Sequence, residues 1–206
     1  MRITPKQITI IKSMVHIFSL IFMIYFVLLI LQGGFGADPV KGMEHFTGKA
    51  ALNMLLLTLL VSPLAKVFRQ GLLMKLRRML GLYSFFWATL HFAIYISLDL
   101  GFDFSLLGEE IFKRPYLTIG AVCWVILLLL AATSFQKIQR KMGKKWQTLH
   151  YWVYLALILA PIHYYWSVKS GLIEPSLYLV VAVLLLIWRK DFFMRLLGKI
   201  SISVKS

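Results

Sequence analysis

The chain has 206 residues, 60% of them hydrophobic, and a mean hydropathy of +0.78. A soluble domain is about 45–50% apolar, so lipid must solvate the surplus, and the length excludes a soluble catalytic domain beside the membrane bundle. A single cysteine, Cys123, excludes a disulfide framework and a cysteine-based metal site, and the formal charge of +15 has to be read by where it falls.

The first predicted span is 8–31, apolar from residue 14 onward except for His16 and small polar residues. It exceeds the ~7–15 residues of a signal-peptide core and no A-x-A-like site follows, so it reads as a retained helix. Gly33-Gly34-Phe35-Gly36 ends it, and with no strand in front those glycines are not a dinucleotide fingerprint. Asp38-Pro39 reads as an N-cap with a first-turn proline. His45 falls in the loop before a second span, 50–67, which carries Asn53 and Pro63. Arg77-Arg78 are internal and so are not a twin-arginine export signal. The third span, 79–98, has no charge at all. Leu106, Leu107, Ile111 and Phe112 among Glu109, Glu110 and Lys113 predict a short helix lying at the membrane interface. Arg114-Pro115 opens a fourth span, 116–135; a fifth covers 146–168 and a sixth 172–188, ahead of a basic tail, 189–206. Each is close to the ~20 apolar residues that a helix needs to cross the hydrocarbon core, where lipid offers no partner for open backbone groups. The predicted fold is all-α, one transmembrane domain over 1–206, a six-transmembrane-helix bundle.

The cations set an orientation. Along the chain, Lys and Arg fall 3-2-5-2-5-1-5 in the N-terminus, the five loops and the tail, and seven of the eight acids lie in the three poorer loops. Loops rich in Lys and Arg stay in the cytoplasm, so both termini are expected there. The basic stripe is a topology signal with anionic-lipid contact, not a nucleic-acid footprint.

Function is signalled by histidines. Of five, His16, His91, His150 and His163 lie inside spans, where ionisable groups are costly and usually serve a purpose. At about 1.5 Å per residue, His91 and His163 sit at one depth in the outer half, on different helices. Such a pair can clamp a planar metal cofactor, because neutral imidazole is an axial ligand of haem iron. His150 lies about 20 Å below His163, near the inner surface. Arg77 holds the matching place on the third helix, and a guanidinium suits a haem propionate or an anionic lipid better than iron. His16 is either a further inner ligand or a histidine hydrogen-bonded to a neighbouring helix. His45 reads as an interface histidine, near a cofactor carboxylate or a docking partner. On an ideal helix His150 and His163 point about 140° apart, and Pro161 is expected to kink the helix between them. Trp87, Tyr151, Trp152, Tyr164, Tyr165 and Trp166 are candidate lining for a porphyrin or quinone pocket, or interface belts.

The segments GGFGADPVK (33–41), HFTGK (45–49), ATLH (88–91), RPYLT (114–118), GKKWQTLH (143–150) and LAPIHYYWSVK (159–169) occur in an order that resembles the MsrQ (YedZ) family. These are haem-binding membrane subunits of bacterial methionine-sulfoxide reductase systems, within the wider ferric-reductase-like transmembrane group. The resemblance runs from about residue 3 to 188. It implies b-type haem, one or two per chain, with His91, His150 and His163 as iron ligands, and it extends to bound FMN. It further implies electrons drawn from membrane quinones and delivered to a periplasmic MsrP-like molybdopterin reductase, from a multi-pass position in the bacterial inner membrane. In the wider group the third and fifth helices each supply two histidines to a stacked pair of haems; Arg77 departs from that pattern at the inner position. The chain itself is expected to carry electrons rather than to catalyse a substrate reaction. The competing reading is a histidine-based small-solute or proton transporter; the spans hold no deep Asp or Glu and no inverted repeat to favour it.

Overall fold

The computed structural model describes residues 3–189, so the predicted basic tail beyond Arg189 lies outside the described residues. Among these the chain forms helices and no strand. Helix α1 (Pro5–Leu31) starts on a capping box: the Thr4 hydroxyl accepts from the Gln7 amide while the Gln7 side chain accepts from the Thr4 amide. Gly33 and Gly36 take positive φ just past its end. Helix α2 (Pro39–Val67) begins at Asp38 and Pro39, as the sequence predicts, with the carboxylate accepting from the Lys41 amide at 3.2 Å.

The start of α2 corrects the reading of His45. Its first turns carry Lys41, Glu44, His45 and Lys49, and their polarity makes them look like a loop. The backbone is nonetheless helical from Pro39, so His45 lies within α2. Pro63 is accommodated inside the same helix.

A 3-10 turn (Gly71–Leu76) leads into α3 (Arg77–Ile94), which continues as one π-helical turn, Tyr95–Asp99. The short helix α4 (Phe104–Lys113) falls where the interface helix is predicted, capped by Asp103, whose carboxylate accepts from the amides of Ser105 and Leu106. Arg114 and Pro115 open α5 (Pro115–Ala132). The basic stretch that follows folds into α6 (Gln136–Met142), then α7 (Lys144–His150) and α8 (Val153–Ser167). The last described helix is α9 (Ile173–Ile187).

Helix α8 runs through Pro161, and the fifth segment is interrupted ahead of it, at Tyr151 and Trp152. There the amide of Trp152 bonds to the carbonyl of Leu149 and that of Tyr154 to the carbonyl of Tyr151, both one residue short of α-helical spacing. His150 and His163 therefore belong to two helical pieces, and the 140° estimate for one ideal helix does not hold.

Helix α2 organises the bundle. On one side Met43, Ala50 and Met54 pack with Phe26 of α1 and Leu80 and Trp87 of α3. On the other, Leu52, Leu55 and Leu59 pack with Cys123, Ile126 and Leu127 of α5, Ala156 and Leu157 of α8, and Ala182 and Leu185 of α9. Three buried hydroxyls meet carbonyls: Ser84 crosses to Ala51 at 2.9 Å, and Thr47 and Thr58 turn back on Met43 and Met54, whereas the buried Ser19 hydroxyl of α1 has no partner among the described residues. Outward-facing Met14, Ile17, Phe18, Leu20 and Ile21 of α1 are more than half exposed, an apolar surface that only lipid can cover. Among the described residues, four segments are long and apolar enough to cross a membrane: α1, α2, the run Gly71–Asp99 and α5. Helix α9 is apolar and shorter. This is a multi-pass helical membrane protein.

Candidate functional site

The structure brings His91 and His163 together. His91 lies in α3 and His163 in α8, and their ring centroids are 6.1 Å apart with planes at 77°. Each ring is fixed by a carbonyl from a third or fourth helix. His91 Nδ1 lies 2.9 Å from the backbone oxygen of Glu44 in α2, and His163 Nδ1 lies 2.7 Å from that of Tyr116 in α5. A carbonyl can only accept, so in both rings Nδ1 carries the proton and donates it. Both Nε2 atoms keep their lone pairs. This is the protonation that metal-bound histidines ordinarily show, with the distal N–H anchored by a backbone oxygen.

Two glycines make room for the rings. A Cβ built at Gly120 meets the His163 Cε1 at 2.8 Å and Nδ1 at 2.9 Å. One at Gly48 meets the His91 Cε1 and Nδ1 at 3.3 Å. The rings lie against bare helix backbone, and the surrounding cavity, open on one side, is lined by Leu52, Leu55, Ala88, Phe92, Trp124 and Leu127, with the charged Lys49 and Asp99 also lining it. Glu44, Tyr95 and Tyr164 bring polar atoms to it; Oε1 of Glu44 and the hydroxyl of Tyr95 are buried without a partner. Neither glycine stands out in the sequence, where a lone glycine in an apolar span has no pattern.

The donor set fits haem iron. Two neutral imidazoles bound to one metal through single nitrogens, at about 2 Å per bond, place their ring centroids about 6–6.5 Å apart. The observed 6.1 Å lies in that range. The walls are largely apolar, as a porphyrin requires, and no cluster of three or more His, Cys, Asp or Glu offers a competing metal site among the described residues.

The other predicted residues go elsewhere. His150 Nε2 lies 3.1 Å from the Thr133 hydroxyl oxygen. That hydroxyl already directs its one proton to the carbonyl of Leu129 at 2.7 Å, so it accepts from His150 and Nε2 is the protonated nitrogen. Trp146 stacks on the His150 ring at 3.9 Å and donates its own N–H to the Thr133 carbonyl. Arg77 is near Arg189, Tyr154 and His150 in electrostatic terms, and its buried Nε has no partner. Arg189 itself donates to the Tyr154 hydroxyl and, at 3.2 Å, to the Leu59 carbonyl. His16 bonds through Nδ1 to the Tyr83 hydroxyl at 2.6 Å, the inter-helix role open to it from the sequence. His45 lines the cavity and meets the Tyr164 ring at 6.1 Å.

Of the aromatics singled out by sequence, Tyr164 lines the cavity, whereas Trp87 is 1% exposed and packs with Phe22, Phe26 and Phe46. Tyr151, Trp152, Tyr165 and Trp166 do not line the cavity; Phe92, Tyr95, Tyr116 and Trp124 do.

A helical membrane bundle that brings two neutral imidazoles from different helices within 6.1 Å is the build of a metal-cofactor protein. Residues 47–161 match the family described as ferric reductase like transmembrane component. The chain is 53% identical over 190 residues to the protein-methionine-sulfoxide reductase heme-binding subunit MsrQ of Cronobacter sakazakii (strain ATCC BAA-894), covering 92% of this chain and 95% of that one. It is 51% identical over 194 residues to the subunit of the same name from Pectobacterium carotovorum subsp. carotovorum (strain PC1), covering 94% and 98%. The chain belongs to the ferric reductase like transmembrane family and, within it, to the MsrQ family.

Proposed function

We propose that this chain is the haem b electron-transfer subunit of a methionine-sulfoxide reductase system. It takes electrons from membrane quinols and delivers them to a periplasmic molybdopterin reductase that repairs oxidised proteins. The observation that carries the reading is the His91–His163 pair, with both Nδ1–H groups anchored on carbonyls and both Nε2 atoms free. The names of the relatives support haem as the group held there.

Haem supplies reversible one-electron chemistry, which no side chain in the cavity can supply. The protein's part is placement. Helices α3 and α8 present the ligands, and the carbonyls of Glu44 and Tyr116 fix their tautomers and raise their basicity. Gly48 and Gly120 let the rings lie back against α2 and α5, and the largely apolar wall suits a porphyrin face. Arg77, with an unpartnered buried Nε, suits an anionic substituent at the opposite end of the bundle: a haem propionate, or the phosphate of the FMN that the family resemblance implies. His150 is the candidate ligand for a second haem there, once its bond to Thr133 is exchanged.

The membrane arrangement belongs to the same reading: six spans in the bacterial inner membrane with both ends in the cytoplasm, which puts the paired histidines toward the periplasm. Helices α7 and α8 together form the fifth span and α9 the sixth. A reduced-minus-oxidised absorption spectrum of the purified chain tests the proposal. A haem b signal is expected, and a colourless protein after expression with ample haem supply would contradict it.

A further inference from the structure

A second polar site faces outward between α2 and α9. Lys49 in α2 pairs with Glu174 in α9 at 3.2 Å. One turn further along both helices, the Tyr178 hydroxyl donates to Asn53 Oδ1 at 3.0 Å. Beyond this polar pair the same two helices enclose a groove of about 210 Å³ lined by Asn53, Leu56, Leu57, Leu60, Val181 and Leu185. Asn53 is exposed on a membrane-spanning helix, and its amide NH2 makes no hydrogen bond among the described residues. An amide NH2 left open on the lipid-facing side of a span, one turn in from the ion pair, favours a carbonyl-bearing membrane molecule as its partner.

The pair is also connected to the cofactor cavity. The Tyr178 ring meets the Tyr164 ring edge-on at 5.7 Å, and Tyr164 lines the cavity next in sequence to His163. A redox-active head at Asn53 is therefore two aromatic rings, Tyr178 and Tyr164, from the cavity that the paired histidines line. A phospholipid has no redox-active head to use that connection, and the nearby Lys49 is already paired with Glu174.

We propose that Asn53 and Tyr178 bind the head of a membrane quinone, with its isoprenoid tail in the groove of Leu57, Leu60, Val181 and Leu185. The inference rests on the quinol-fed reading above and gives it a location. The Asn53 amide donates to one ring carbonyl of the quinone. For the quinol, the Tyr178 oxygen and Asn53 Oδ1 accept the corresponding hydroxyl. With haem held by His91 and His163, each quinol oxidised there would give up two electrons, passed one at a time to the iron, and two protons, released to solvent.

The test uses the full-length haem-loaded protein in detergent. A decyl-tailed azido-benzoquinone is photolysed and its adducts are mapped, and haem reduction by decyl-benzoquinol is timed beside reduction by dithionite. Asn53→Leu removes the donors, and Leu57→Trp fills the groove without touching the polar pair. Labelling on α2 and α9 is expected in the wild type and not in the variants. Quinol reduction is expected to slow about tenfold or more in both variants, the scale of one lost hydrogen bond to the head, with spectra and dithionite reduction unchanged. Wild-type reduction by quinol with undiminished rates in both variants would overturn this site alone. A wild type reduced by dithionite and never by quinol would overturn the quinol-fed reading and the site with it. A phospholipid retained in the groove and not displaced by decyl-benzoquinone, seen by native mass spectrometry, would also overturn it.

Discussion

The two ends of this bundle hold histidine in opposite ways. At the His91–His163 end, each Nδ1–H is spent on a backbone carbonyl, each Nε2 keeps its lone pair, and the two rings lie 6.1 Å apart. At the His150 end it is Nε2 that carries the proton, committed to a threonine hydroxyl and covered by a tryptophan. The same side chain is prepared for ligation in one place and used as a structural donor in the other. What separates them is the second partner: a carbonyl from another helix fixes one tautomer, and a hydroxyl whose proton is already given away fixes the other. Counting histidines per helix does not reveal this.

The largest effect that can break the contrast comes from removing a ligand. His91→Ala or His163→Ala is expected to abolish most of the haem absorbance, whereas His150→Ala is expected to leave the signal of the paired site intact. Next is Gly120→Ala. Its Cβ falls 2.8–2.9 Å from the His163 ring, a distance at which the imidazole must move, so haem content is expected to fall several-fold. Gly48→Ala, at 3.3 Å from the His91 ring, asks for a shift of tenths of an ångström and is expected to alter the reduction potential more than the occupancy. Thr133→Val at the other end is expected to cost about 1 kcal/mol of stability, one hydrogen bond, with no change in the spectrum of the paired site.

The smallest effect concerns α4. Asp103 is exposed, and the Ser105 hydroxyl together with the Leu106 and Ser105 amides holds its carboxyl below the usual range. A lowered carboxylate pKa contributes stability that is present above the unfolded value and is lost as pH falls through the folded one. Amide exchange at Ser105 and Leu106 is therefore expected to speed up only in acid, below the ordinary carboxylate range, and to do so at any pH in Asp103→Ala.

Much of this was legible in the chain itself, and the misses have physical causes. Apolar runs locate helices because burial in lipid is a property of composition; Asp38-Pro39 and Arg114-Pro115 mark helix starts because a missing N–H costs nothing in the first turn. The depth rule finds His91 and His163 because helical rise is constant. The same hydropathy reading loses the first turns of α2, since Lys41, Glu44, His45 and Lys49 are polar yet helical. Pro161 draws attention as a helix breaker, while the real interruption at Tyr151 and Trp152 has no residue type to announce it. The carbonyls that set the tautomers belong to Glu44 and Tyr116, distant in sequence, and backbone oxygens leave no trace in residue identity. Asn53 is visible as a polar blemish in a span, but its pairing with Tyr178, 125 residues away, is a fact of tertiary packing.

Haem per polypeptide, measured with the reduced-minus-oxidised spectrum in the wild type, His91→Ala, His163→Ala and His150→Ala, bears most directly on the paired site. The account predicts a paired-site haem b signal in the wild type that survives in His150→Ala and is lost in the other two. Full retention of that signal in both His91→Ala and His163→Ala would contradict it.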